Sequence, residues 1–175
     1  MEEKMELQEA IKKRKSIRSY QNKAVSKRKL QKVLKAARLA PSGGNSQPWK
    51  FVVVSDTEKR EQLSLAANGQ SQVANAPIVI AGVATDPDRI MMCGVPAYPV
   101  NLAIAIDHMT LAAVDEGLGS CWIGAFSQDK VRNVLGIPDN YMVVCLLTLG
   151  FPADEGRPKS RKSLDEIICY DTFTG

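Results

Sequence analysis

The sequence predicts an α+β protein, because segments with helical spacing of apolar residues outnumber the short apolar runs that are typical of strands. Three such runs, at 51–54, 77–83 and 142–149, predict buried strands. The 175 residues suit one domain, which we take as 1–175. Helices are expected at 5–14, after Ser26, at 57–67, at 101–116 and at 128–135.

Local signals support the ends of these helices. The apolar residues of 5–14 share one face. Ser26 is expected to cap the second helix, because its hydroxyl can accept a hydrogen bond from the free N–H groups of the first turn. Pro41 ends that helix, and the polar residues 42–45 predict a loop. The last helix is expected to end at Gly136.

The helix at 101–116 differs from the others because it is apolar almost all round. Such a helix is typically buried in a core or in an interface. We expect Gly117 and Gly119 to close it, since glycine adopts the left-handed conformation of helix caps. Residues 120–126 then form a short strand or a loop.

Composition excludes several classes of protein. Hydrophobic residues make up 45% and charged residues 24%, as in an ordinary globular protein. The charged first residues are not followed by the apolar stretch of a signal peptide. The longest nearly apolar run, at 95–106, stops at Asp107 and is too short to span a bilayer. We therefore expect a cytoplasmic protein with no membrane segment.

The cysteines predict neither a metal site nor a disulfide scaffold. The four cysteines form no C-x-x-C pair, and His108 is the only histidine. A zinc site needs closely spaced thiolate and imidazole ligands, so no metal is expected. We predict free thiols that are mostly buried.

The net charge of +4 is unevenly distributed. Residues 1–38 hold 13 Lys or Arg against 4 Asp or Glu, whereas the remainder holds 10 against 15. A second basic cluster lies near the C-terminus, at Arg157, Lys159, Arg161 and Lys162. The two clusters either bind one anion jointly or form solvated faces. No known nucleic-acid motif accompanies them, so no nucleic-acid partner is expected.

The segment Arg14-Lys15-Ser16-Ile17-Arg18 is the first candidate binding motif. If it is extended, Arg14, Ser16 and Arg18 point to the same side. Guanidinium groups bind phosphate through paired hydrogen bonds, and serine adds a hydroxyl donor. The alternative is a basic helix end that interacts favourably with the helix dipole.

Two further segments are rich in glycine and small polar residues. In the loop at 40–49, two glycines let the backbone approach a ligand, and Asn45 and Gln47 offer both donors and acceptors, as a heterocycle requires. In the segment at 117–126, small residues would expose backbone N–H groups to a planar ring. An ordinary turn and an ordinary helix cap are the alternatives.

Taken together and in this order, these segments and the late Lys159-Ser160-Arg161 resemble the nitroreductase family of FMN enzymes, from Arg14 to about Arg161. The resemblance implies a central, mainly antiparallel sheet flanked by helices, in an interlocked homodimer. It also implies that FMN lies between the subunits and that the helix at 101–116 is a main dimer contact.

The resemblance assigns roles residue by residue. Phosphate contacts are implied for Arg14, Lys15, Ser16, Lys159 and Arg161. Ring contacts are implied for Arg18, at the N1 and O2 edge, and for Asn68. Backbone contacts near N5 are implied for Trp122, Ile123, Gly124 and Ala125. Contacts from the partner chain are implied for Pro41, Ser42, Gly43 and Asn45. Many relatives carry a lysine where this chain has Ser71, so Arg18 is expected to supply that charge alone.

The resemblance also implies ping-pong reduction of nitroaromatics, quinones or other small acceptors by NAD(P)H. Flavin N5 carries the chemistry, and no side chain is expected to act as an essential acid or base. One alternative is a specialised flavin enzyme of the same fold, such as a reductive dehalogenase or a flavin-cleaving enzyme. The other is a noncatalytic protein that binds an anionic ligand or nucleic acid.

Overall fold

A computed structural model describes residues 5–174 of the chain. The helices are α1 (Leu7–Lys13), α2 (Lys27–Arg38), α3 (Thr57–Ala66), α4 (Ser71–Asn75), α5 (Ala97–Asp115) and α6 (Gln128–Leu135). The strands are β1 (Trp49–Val54), β2 (Ile78–Ala84), β3 (Gly119–Ile123) and β4 (Met142–Gly150). Short 3-10 turns lie at Gly43–Asn45 and Leu164–Glu166.

The strands form one antiparallel sheet in the order β1-β2-β4-β3. This confirms the predicted α+β class with a mainly antiparallel sheet. Every residue of the central strand β2 is buried. The prediction of a fully buried strand at 51–54 was wrong, because β1 lies at the edge of the sheet and only Val54 is buried there.

Helices cover both faces of the sheet. On one face, Ile80 of β2 and Leu147 of β4 pack against α2 and α5. On the other face, Val79 and Leu146, their neighbours in sequence, pack with α3 and α6. Successive strand residues point to opposite faces, so each central strand contributes to two cores. Burying one such aliphatic side chain stabilises the fold by about 1.5–3 kcal/mol.

The helix ends follow the signals in the sequence. The Ser26 hydroxyl accepts a hydrogen bond from the Lys29 N–H at 3.3 Å, which confirms the predicted cap of α2. Ser127 caps the start of α6 in the same way. Gly136 ends α6 with φ of +63°, the left-handed conformation in which glycine carries no steric penalty.

The long helix α5 begins at Ala97, four residues earlier than predicted. Pro99 lies in its first turn, where a missing N–H costs no intrahelical hydrogen bond. The 19 residues span about 28 Å. By length and composition alone α5 passes as a membrane span, a test that core helices of globular proteins also pass. Eight of its residues are buried in the core, as in the core helix of a globular protein.

The outer face of α5 is only partly covered by the described residues. We define this face by Val100, Ala103, Ile104, Asp107, His108 and Leu111, all exposed or only partly buried. Of the two glycines predicted to cap α5, only Gly117 takes the left-handed conformation, with φ of +70°. Gly119 instead begins β3.

Candidate functional site

The segment 14–18 lies along the edge strand β3. Ser16 forms a parallel bridge with Ser120, and the Ile17 N–H donates to the Ser120 carbonyl at 2.9 Å. Ile17 is buried, whereas Ser16 is partly exposed and Arg18 is exposed. Gly119 permits this approach, because a Cβ there would lie 2.5 Å from Cγ1 of Ile17.

A turn brings the second basic cluster onto the same segment. Asp154 Oδ1 accepts a hydrogen bond from the Gly156 N–H at 2.8 Å. Gly156 has φ of +67°, and a Cβ there would lie 3.0 Å from Cδ1 of Ile17 and 3.2 Å from the Ser16 carbonyl oxygen. Glycine therefore allows the chain to pass close to 16–17 just before the basic residues begin.

The two basic clusters line one cavity of about 190 Å³, which we call the basic pocket. Its lining consists of Arg14, Lys15, Ser16, Arg18, Arg157, Pro158, Lys159, Ser160 and Arg161. Six of these side chains are cationic, and none is acidic. Within residues 5–174, no carboxylate forms an ion pair with them. Such a pocket suits a multiply charged anion such as a phosphate.

Lys159 also ties the pocket to α1. Its ammonium group donates to the carbonyl oxygens of Ile11, at 3.2 Å, and of Lys12, which lie at the C-terminal end of the helix. A cation interacts favourably with this end of a helix. Loss of hydration and the nearby charges of Arg14 and Arg161 lower the pKa of Lys159.

A second surface forms where the loop after α3 meets the segment after β3. Asn68 and Gly69 both have left-handed backbones, with φ of 58° and 72°. The Gln70 side-chain amide donates to the Ala125 carbonyl at 3.1 Å, and the Ser127 N–H donates to the Ala66 carbonyl at 2.9 Å. These bonds place the Asn68 loop beside 122–125.

The exposure of 122–125 leaves room for a planar ligand. Trp122 is 40% exposed, and Gly124 and Ala125 are exposed as well, whereas Ile123 is buried in the core. A polar cleft of about 580 Å³ adjoins Arg18 and is also lined by Ser71. Arg18 therefore lines both this cleft and the basic pocket, which joins the anion site to a polar surface.

The thiol of Cys121 lies behind this surface in β3. Burial raises its pKa, and the charge of Arg18 and a hydrogen bond with Ser16 offset only part of that effect. A neutral, buried thiol is a poor nucleophile. Cys145 is buried too, but Cys93 and Cys169 are exposed. The prediction of mostly buried thiols was thus wrong for two of the four cysteines. Cys93 lies in a surface loop, and Cys169 lies in the C-terminal tail.

The loop at 41–45 lies at the other end of α5. The Gly43 N–H donates to Asn101 Oδ1 at 3.1 Å, near the start of the helix. From Asn101 to Glu116, where the chain leaves α5 for β3, the helix rises about 22 Å. One subunit therefore brings together the predicted residues of 14–18, 159–161, Asn68 and 122–125, but not those of 41–45.

Sequence reasoning gave no role to two residues of this region. Arg157 was noted only as part of a basic cluster, although it lines the basic pocket. The turn residues Asp154 and Gly156 before it were the available signal. Gln70, which joins the Asn68 loop to Ala125, carries no recognisable sequence signal.

Comparison with known proteins identifies the family of the chain. A family model described as the Nitroreductase family matches residues 11–100 and 94–151. An Archaeoglobus fulgidus relative, provisionally named an NADH dehydrogenase/NAD(P)H nitroreductase, is 37% identical over 146 residues, which are 81% of this chain and 83% of the relative.

Solved structures are similar over nearly the whole chain. A nitroreductase family protein of Clostridium difficile 630 is 36% identical with a TM-score of 0.85, and the match covers 97% of this chain and 100% of that one. A Clostridium difficile R20291 protein described as an FMN-dependent nitroreductase is 31% identical with a TM-score of 0.81, and the match covers 94% and 98%.

Proposed function

The chain belongs to the nitroreductase family, and we propose that this FMN-dependent NAD(P)H oxidoreductase reduces nitroaromatics, quinones or other small acceptors in a ping-pong reaction. The observation that carries the proposal is the convergence of 14–18 and 157–161 on one anion pocket, which Arg18 joins to the polar cleft lined by Ser71. We take residues 1–175 as one FMN-binding domain. Bound FMN would supply hydride transfer between the nicotinamide and the acceptor.

In this proposal the basic pocket holds the flavin phosphate. Arg14 and Arg161 supply charge-assisted hydrogen bonds, and Lys15, Ser16 and Lys159 add charge and donors. The bridge between Ser16 and Ser120 fixes these groups relative to β3. The phosphate site and the ring site therefore keep a constant separation.

Arg18 supports the proposed reaction electrostatically. It lines the polar cleft together with Ser71, and we propose that the pyrimidine edge of the ring lies there. The guanidinium of Arg18 would stabilise the negative charge that develops at N1 and O2 of the ring. Asn68 and the backbone of 122–125 then hold the ring, and the acceptor occupies its open side.

We propose that the protein is a homodimer with two such sites. An antiparallel, two-fold pairing of the outer faces of α5 brings the start of one helix to the end of the other. The loop 41–45, which contacts Asn101, then lies near the partner's β3 and basic pocket. The tail residues Leu164, Ile167, Tyr170 and Phe173 are large, exposed and apolar, and a second copy would cover them.

Flavin content and titration test the proposal. We expect the purified protein to be yellow, with one FMN per chain and a preference for FMN over FAD. Arg14→Ala should weaken FMN binding by about 1.5–3 kcal/mol, the scale of a hydrogen bond to a charged group. Arg38→Ala, an exposed change at the end of α2, is the control and should bind FMN normally. A colourless protein that takes up no flavin on reconstitution would refute the proposal.

A further inference from the structure

We propose that Arg157 is a direct ligand of the flavin phosphate. This inference rests on the proposed function, and it adds a residue that the family motif of Lys159 and Arg161 does not include. Arg157 lines the basic pocket together with Arg14 and Ser16. No hydrogen bond or ion pair engages its guanidinium within residues 5–174.

The backbone, rather than a side-chain contact, sets the position of Arg157. The turn closed by Asp154 places Gly156 against the Ser16 carbonyl and Ile17. A side chain at 156 would be strained, because φ is +67° and its Cβ would lie 3.0 Å from Cδ1 of Ile17 and 3.2 Å from the Ser16 carbonyl oxygen. Arg157 follows this contact directly and so begins at the rim of the pocket.

The donors of the other late cations are partly engaged. The ammonium of Lys159 has three N–H groups, and two of them serve the carbonyls of Ile11 and Lys12. Arg161 Nη1 donates to the Ser160 carbonyl at 2.7 Å. Arg157 keeps all five of its guanidinium donors, in the fork geometry that matches phosphate oxygens.

The charge of a phosphate is compatible with the same assignment. A phosphate monoester carries roughly −2 near neutral pH. The ammonium group of Lys159 is partly engaged by carbonyl oxygens at the end of α1, and Arg18 lines the polar cleft as well as the pocket. Arg157 lines the same pocket as Arg14 and Arg161 and therefore adds positive charge beside the proposed phosphate position.

The test compares Arg157→Gln with Lys162→Gln. Each variant removes one positive charge from the tail, but Lys162 does not line the pocket. Fluorescence titrations of the flavin-free proteins are made with FMN and with riboflavin, which has the same ring and no phosphate. Arg157→Gln should weaken FMN binding about 10- to 100-fold, the fold-change of losing a charged hydrogen bond. Riboflavin binding should change less than about twofold, because riboflavin has no phosphate for Arg157 to contact.

The outcomes separate this inference from the proposed function. If Lys162→Gln weakens FMN binding as much as Arg157→Gln does, the effect is general electrostatics and the inference is overturned. It is also overturned if Arg157→Gln weakens FMN and riboflavin equally, or changes neither. If the unmodified protein binds neither flavin, the proposed function itself fails. Arg157→Lys should bind FMN more tightly than Arg157→Gln does, because lysine keeps the positive charge but lacks the paired N–H donors of the guanidinium.

Discussion

Replacing Gly119 by alanine should disturb FMN binding from a position that does not touch the phosphate. Gly119 begins β3 and is paired with Gly150 of β4. Across it lies Ile17, whose N–H bonds to the Ser120 carbonyl at 2.9 Å. An added Cβ would lie 2.5 Å from Cγ1 and 2.8 Å from Cβ of Ile17, and 3.0 Å from Cγ of Pro152.

These distances set the size of the effect. Non-bonded carbon atoms rest about 3.5–4.0 Å apart, so Ile17 has to move by about 1 Å. Overpacking of this kind typically costs about 1–3 kcal/mol. The displaced segment carries Ser16 and Arg18 with it, and the bond to Ser120 lengthens. We therefore expect both a less stable flavin-free protein and weaker FMN binding.

Two measurements check this prediction. Urea unfolding of the flavin-free protein gives the loss of stability, and fluorescence titration gives the FMN affinity. Gly43→Ala is the control for stability, since no atom lies within 4 Å of its added Cβ. If Gly119→Ala is destabilised but binds FMN as tightly as the unmodified protein, then β3 does not position 14–18. Unchanged stability would show that Ile17 is not packed as described.

Other consequences can be tested separately. Ala103→Asp, on the outer face of α5, should give a folded monomer without flavin by light scattering at low micromolar protein; a monomer loaded with FMN contradicts the dimer. In anaerobic stopped-flow reduction, Cys121→Ala and His108→Ala should each change the rate less than about tenfold, below the usual contribution of a general acid or base, whereas Arg18→Ala should lose more. Cys121 and Cys145 should resist alkylation until the protein unfolds, because burial raises the pKa of both thiols; mass spectrometry of the labelled native protein checks this.

Features that depend on local sequence, such as helix caps, were predicted well. Features that depend on neighbouring elements of the fold, such as the burial of a strand, were not. The caps at Ser26 and Gly136 are local, and the structure confirms both. The apolar run of β1 is typical of a buried strand, but its burial depends on whether a strand follows on its outer side. The five-residue helix α4 is too short to show a helical period, and nothing in the sequence predicted it.

The same distinction holds for the candidate site. The segment 14–18 predicted a phosphate ligand from its residue types alone, and the late basic cluster suggested a second half. The segment 14–18 and the late basic cluster are brought together by close packing of Gly119 and Gly156 against Ile17. Both glycines lie more than 100 residues along the chain from Ile17. Gly119 was predicted as a helix cap, and Gly156 indicates only a turn, so the contact of each with Ile17 appears only in the fold.

His108 shows how the fold changes the meaning of a residue. In the sequence it lies in a helix expected to be buried, where a structural role is the default. In the structure it lies on the outer face of α5 beside Asp107, near the middle of the helix. In the proposed antiparallel, two-fold pair the midpoints of the two helices meet, so both residues would lie close to the two-fold axis. The proposed dimer would therefore make His108 an interface residue rather than an acid or base at the flavin.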